Sequence, residues 1–162
     1  MVARRFIALL PAIITVIGSS ASVIAQHGPP VDIVERLHGA ERAVVGRVAS
    51  VEPHWHRNEY GDELIVSRVN VEIDEVLKGA RTKSVALDID GGSLGGLTLR
   101  VSDLPVLAEG DRAVFLVRRN PHGEFSPHLR GLGVLRLDDS DRVVGTPVTL
   151  ADVRAAARGL GQ

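Results

Sequence analysis

LIVSRVNVEIDEVLKG, Leu64 to Gly79, is the longest strand signal in the chain. Val69, Val71 and Ile73 point one way, and Asn70, Glu72 and Asp74 point the other. A repeat of two marks a strand with one buried and one wet face. The alternation breaks at Asp74-Glu75, and Val76-Leu77 follow as an adjacent apolar pair, so a bulge or the end of pairing is expected there. Lys78-Gly79 closes the strand with a turn.

Further strand signals flank this one. Ala43 to Glu52 is the first strand, and Gly46 inside it predicts a bend or a close backbone approach. Pro53 to Glu63 reads as a polar hairpin loop turning at Gly61-Asp62. Ser84 to Asp90 and Leu97 to Val101 alternate again, on either side of the glycine-rich turn Gly91 to Gly96. Arg112 to Arg119 is a strong strand centred on Phe115, followed by a polar loop from Asn120 to Pro127. Leu129 to Asp138 and Arg142 to Gly145 flank a turn at Asp139 to Asp141. Val31 to Leu37 has helical spacing and stops at His38-Gly39. Thr149 N-caps a second helix, Leu150 to Arg158, with Asp152 in the capping-box position and Gly159 at its end. Short strands at regular spacing, without a strand–helix–strand rhythm, predict an all-β fold with short terminal helices. Closure would protect the strand edges, so the expectation is a small antiparallel OB-type β-barrel.

Met1 to Ala25 reads as a signal peptide. Arg4 and Arg5 precede the apolar run Phe6 to Ile17, and small residues stand at two possible cleavage sites, after Ala25 or after Ala21. The run is shorter than the roughly 20 apolar residues of a bilayer span, and Pro11 interrupts it. The segment carries two arginines and no acid, so its removal takes the formal charge from −1 to −3 and leaves 137 of 162 residues. The expected product is exported, periplasmic or secreted, with no membrane attachment after cleavage. Its organisation is a lead-in with a short helix (26–39), a barrel domain (40–147), and a C-terminal helix and tail (148–162). A mildly acidic chain is a poor electrostatic partner for nucleic acid. With no cysteine there is no disulfide framework. Aromatics make up only 3% of the chain, so the core must be aliphatic.

Few residues suggest chemistry. His54 and His56, at i and i+2 on an extended segment, point to one side as a zinc or copper pair would, with Glu59, Asp62 or Glu63 available to complete a site. His122 and His128 would join them only if their loop shared the same barrel end. Gly91-Gly92-Ser93-Leu94-Gly95-Gly96 is not a phosphate cradle, because a strand pattern follows rather than a helix; its glycines serve a tight reversal or bulge. No Gly-x-Ser-x-Gly elbow, His-Glu-x-x-His pair or cysteine nucleophile is present. Glu72 and Asp74 share a strand face, as solvated carboxylates commonly do, and Lys78, Arg81 and Lys83 read as a solvated basic turn. No catalytic residue and no resident cofactor are expected; an unrecognised hydrolase is the remote alternative. The leading expectation is a non-enzymatic module that binds a protein through Trp55, Tyr60, Gly92, Ser93, Leu94 and Gly95, together with the mature N-terminus.

Four stretches carry a resemblance: Ala43-Val44-Val45-Gly46-Arg47-Val48, then Val69 to Gly79 ending in EVLKG, then Gly91-Gly92 with Gly95-Gly96, then Gly110 to Leu116. In this order they resemble a group of largely uncharacterised exported bacterial proteins. The order is also similar, more remotely, to the OB-type barrel of tissue inhibitors of metalloproteinases and netrin-like modules, over about Ala40 to Leu137. The resemblance implies an extracytoplasmic protein-binding barrel whose partner is an exported metalloprotease. The animal inhibitors chelate the protease zinc through an N-terminal cysteine. This chain has no cysteine, so that chemistry does not carry over.

Overall fold

The computed structural model describes residues 32–160. The stretch read above as a signal peptide, and the mature N-terminus expected after it, lie outside them. Eight strands and two α-helices follow in order: α1 (Ile33–Gly39), β1 (Arg42–Arg57), β2 (Glu63–Lys78), β3 (Ser84–Asp90), β4 (Gly92–Leu94), β5 (Leu97–Leu99), β6 (Arg112–Arg119), β7 (Phe125–Pro127), β8 (Val134–Arg136) and α2 (Leu150–Leu160). The main sheet runs β1-β2-β3-β7-β6-β8, and β1 also pairs with β6. That extra pairing closes β1, β2, β3, β7 and β6 into a five-stranded ring of OB type. One pair departs from the expected antiparallel pattern: β3 and β7 run parallel, joined at Leu87 and Phe125.

Two apolar layers hold the ring. Val44, Val48, Val69, Val71, Val85, Leu87, Ile89 and Phe115 fill its interior. Ala43, Val45, Val114, Leu116 and Leu135 face outward and are covered by Ile33 and Leu37 of α1 and Leu150 and Val153 of α2. This second layer explains why Ala113 to Val117 is buried without interruption. A strand covered on both faces has no wet side to alternate with. Asp32 caps α1 by accepting from the Glu35 N–H at 3.0 Å. The expected capping box on α2 is present: the Thr149 N–H donates to Asp152 Oδ2 at 2.8 Å, and the Asp152 N–H to Thr149 Oγ1 at 3.3 Å. Gly159 does not end that helix, which continues to Leu160.

The bend expected at Asp74-Glu75 is present. The β1–β2 register slips between Val45 and Gly46, and again between Ala43 and Val44, so Asp74 and Leu77 are the extra residues on β2. A bulge sharpens local twist and turns the strand. The acids at the bend are tied rather than merely solvated. Asp74 lies 3.6 Å from Arg112, and Glu75 Oε2 accepts two hydrogen bonds from the Arg154 guanidinium of α2, at 2.7 and 2.9 Å.

Four segments differ in extent from the sequence expectation. Pro53 to Arg57 is not loop but the continuation of β1, paired with Glu63 to Ser67; only Asn58 to Asp62 turns. Gly91 to Gly96 is not a bare turn, since β4 begins inside it and forms a small hairpin with β5. The loop 120–127 ends in β7, which closes the ring. Its Phe125 lies between the guanidinium groups of Arg42 and Arg119, at 4.9 and 4.6 Å from the ring centre. Residues 130–133 form a 3-10 turn before β8, rather than one strand from Leu129.

Lys78 is not a solvated turn residue either. Its ammonium donates to the carbonyls of Leu37, His38 and Ala40 at 2.8, 3.0 and 2.7 Å. These carbonyls sit at the C-terminus of α1, where the helix leaves its last acceptors unpaired. The end of β2 therefore locks α1 onto the barrel.

His128 packs beside this junction; a Cβ on Gly39 would collide with its imidazole. Burial, with Arg118 and Lys78 nearby, holds its pKa below the ordinary histidine value. The unfolded chain therefore takes up the proton first as pH falls. Stability is full above the unfolded histidine pKa, near 6.5, and declines as pH drops from there through the lower folded value. Urea midpoints are expected to fall between pH 7.5 and 5.5 in the native chain, and His128→Gln is expected to flatten that slope. Equal slopes in the two proteins would refute this. The exposed carboxylates Asp103 and Asp152, held low by Arg130 and Thr149 respectively, act in the separate window below about pH 4.

Candidate functional site

β1 and β2 are both 16 residues long, but β6 accompanies β1 only from Arg42 to Arg47. Two last bonds join Val48 to Asp111 and Gly110, at 2.8 and 2.9 Å. Beyond them β1 runs on without β6, as the outer edge of the β1–β2–β3 sheet, and the tip of the β1–β2 ribbon extends past the end of β3.

Backbone alternation fixes which groups that edge presents. The Ile65 carbonyl accepts from Gly91 at 2.8 Å, so odd residues here on β2 direct their backbone polar groups toward β3. Even residues face β1 and bond to His56, His54, Glu52 and Ser50 across the ladder. The residues between them, Val51, Pro53, Trp55 and Arg57, therefore turn their N–H and C=O groups outward. A proline fits at residue 53 because its missing N–H would have pointed into solvent.

The β4–β5 hairpin folds under this ribbon. A Cβ on Gly92 would lie 2.5 Å from Ser67 Oγ and 3.3 Å from both Ile65 and Pro53, so only glycine fits, and its φ of +142° suits it. Ser67 is the one buried polar residue among those described, and its hydroxyl donates to the Gly91 carbonyl at 2.7 Å. Between ribbon, hairpin and the segment after β5 lies a cleft of about 320 Å3. Val51, Val69, Ile89, Leu104 and Leu107 give it an apolar floor, and Arg100 lines its wall.

The contact residues expected from sequence come together in part. Trp55 and Gly92 meet the same face of the ribbon, since Trp55 stands opposite Ile65 and Gly92 packs on it. The 53–63 and 91–96 segments thus share one end of the barrel. Tyr60 stands at the ribbon tip, 82% exposed. Ser93 is tied to Thr98 at 2.8 Å within the hairpin, Leu94 pairs with Leu97, and Gly95 forms the hairpin turn at a φ of +60°. Sequence reasoning missed the free β1 edge, Ser67 and Arg100.

His54 and His56 do share a side, on the outer face of β1 opposite Val66 and Leu64. Two of the three acids proposed to join them, Glu63 and Asp62, are engaged elsewhere. Glu63 pairs with Arg57 at 3.1 Å, and Arg57 lies on the other face of the ribbon. Asp62 accepts from Asn58 at 3.1 Å in the turn. No group of three metal-ligating side chains occurs among the described residues. His128 lies beside Gly39 and Lys78, at the opposite end of β2 from His56, so it does not join the pair. Glu72 and Asp74 do not form a paired site, because the bulge intervenes and Arg112 holds Asp74.

No protein-family model matches this chain, and no curated protein matches it.

Proposed function

We propose that the chain is an exported, non-enzymatic interaction module that binds a protein through the projecting end of its barrel. The distribution of aromatic side chains carries this reading. Four aromatic residues are described. Phe115 is buried in the barrel interior and Phe125 packs against that core, while Trp55 and Tyr60 both stand exposed on the ribbon, at 49% and 82%. Interfaces concentrate their binding energy in such tryptophan and tyrosine anchors. The contact surface is Trp55, Tyr60 and the hairpin Gly92, Ser93, Leu94 and Gly95. Export rests on the signal-peptide character of Met1 to Ala25. The resemblance to metalloproteinase inhibitors supports an exported metalloprotease as the partner, bound without a zinc-chelating cysteine.

The test is capture of exported proteins on the immobilised chain. A specific partner is expected, with Trp55→Ala/Tyr60→Ala reducing its recovery at least about tenfold. Absence of a specific partner at native abundance, or equal recovery on the double variant, would remove the reading.

The shared outer face of His54 and His56 favours a second reading, a small zinc- or copper-binding protein. Calorimetry with each metal decides it. No heat, or no loss in His54→Ala/His56→Ala, ends it.

A further inference from the structure

We infer that the barrel end recognises its partner by strand addition. An extended polypeptide segment lies along the free edge of β1 from Val51 to Arg57, with an apolar side chain in the adjacent cleft and an acidic one on Arg100. This deepens the protein-binding reading above and rests on it.

Three features converge. The edge presents the N–H groups of Val51, Trp55 and Arg57 and the carbonyls of Val51, Pro53, Trp55 and Arg57, and among the described residues no backbone bond joins them to another strand. An incoming extended backbone supplies the complementary groups, which is how added strands gain affinity. Pro53 withholds one donor in the middle of the run. A long, register-free partner is penalised there, whereas a short segment set in one register loses a single bond.

The cleft supplies that register. Val51 and Pro53 belong to both the edge and the lining. A side chain projecting from a strand docked on them faces Val69, Ile89, Leu104 and Leu107. At about 320 Å3 the space suits one large apolar side chain with its flanks, near the small end of ligand sites.

Charge supplies the third feature. Arg100 is exposed, lines the cleft and makes no ion pair among the described residues. Asp90, the other charged residue of the lining, sits at the end of β3 in the field of Arg130. Arg100 is therefore the cation left for an incoming carboxylate. Side chains two apart on a strand share a face, so the preferred segment reads apolar-x-acidic.

Trp55, the only tryptophan in the chain, stands on this edge and reports binding by its fluorescence. The probe is a blocked octapeptide, Thr-Val-Thr-Leu-Thr-Glu-Thr-Val. Comparison peptides carry Ser for Leu, Lys for Glu, or N-methyl groups on the edge-facing amides. Saturable binding of the parent is expected, weakened about tenfold or more by Ser for Leu and by N-methylation. Arg100→Glu is expected to weaken the Glu peptide about tenfold and to favour the Lys peptide over it. Three results would overturn strand addition: no saturable change with any peptide into the millimolar range, N-methylated peptides binding as tightly as the parent, or no charge swap with Arg100→Glu. Self-association of the chain that the parent peptide does not displace would assign the edge to a second copy, and would overturn it too. A captured partner that binds the Arg100→Glu chain undiminished and resists the peptide leaves the module reading standing and removes this one. Peptide binding without any captured partner does the reverse.

Discussion

Lys78→Met is expected to cost about 3 kcal/mol and to lower the melting temperature by on the order of 10 °C. The ammonium of Lys78 donates to three carbonyls at 2.7 to 3.0 Å, all within the four residues that end α1 and lead into β1. Hydrogen bonds to a charged group are worth about 1.5–3 kcal/mol each, but three sharing one ammonium do not add independently. Methionine keeps the length and apolar stem and removes the donor. The Leu37 and Ala40 carbonyls then lose their partner in a half-buried setting. Leu37 itself is fully buried on the inner face of α1, so loosening the helix end also unsettles the outer apolar layer. Lys78→Arg is expected to recover only part of the loss, because a planar fork does not converge on three acceptors as a tetrahedral ammonium does. Urea unfolding gives the stability change, and amide exchange over residues 33–40 shows whether the loss begins at α1. A cost below about 1 kcal/mol, or exchange unchanged in α1, would show that the three bonds merely replace equivalent bonds to water.

Lys78 also shows where reading the sequence stops. Its identity and its place after a strand were legible, but a lysine beside glycine in a basic turn looks like any solvated turn. What makes it structural is the C-terminus of α1, about forty positions away in the chain. Features carried by local periodicity were recovered: the alternation of β2, the bend at Asp74-Glu75, the Thr149–Asp152 box and the aliphatic core. Those that depend on a distant partner were not. β7 is three residues long, too short to show a period, and its place in the ring comes from pairing with β3 and β6. Pro53 to Arg57 has no aliphatic alternation, with a proline, a tryptophan and an arginine on one face and two histidines on the other, so it reads as loop until β2 pairs with it. At the candidate site, Trp55, Tyr60 and the glycine-rich hairpin were legible as unusual residues. The open edge beside them was not, because an edge is defined by the strand that fails to arrive.

Gly46→Ala tests the closure of the ring and is expected to cost about 3 kcal/mol or more. Gly46 stands opposite Ile73 on one side and Ala113 on the other, at the register slip where β1 bends from β2 toward β6. A Cβ there collides with the backbone carbonyl of Glu72 and lies 2.6 Å from a methyl of Val71. Val71 is fully buried and can turn aside only into Val69, Val85 or their neighbours. The Glu72 backbone is held by Ser84 of β3 and Arg47 of β1, so it cannot retreat without disturbing two ladders. Relief must come from β1 moving away, which parts the strand that belongs to both halves of the ring. The same chemical change at Gly159 provides the control. That residue lies inside α2 with nothing within 4 Å of a new Cβ, so alanine there is expected to stabilise by about 0.5–1 kcal/mol through helix propensity. Opposite signs for one added methyl group separate steric exclusion at the bulge from any general preference for glycine. If Gly46→Ala unfolds at the same urea concentration as the native chain, β1 is not pinned at this point and the ring is looser than its strand pairing implies.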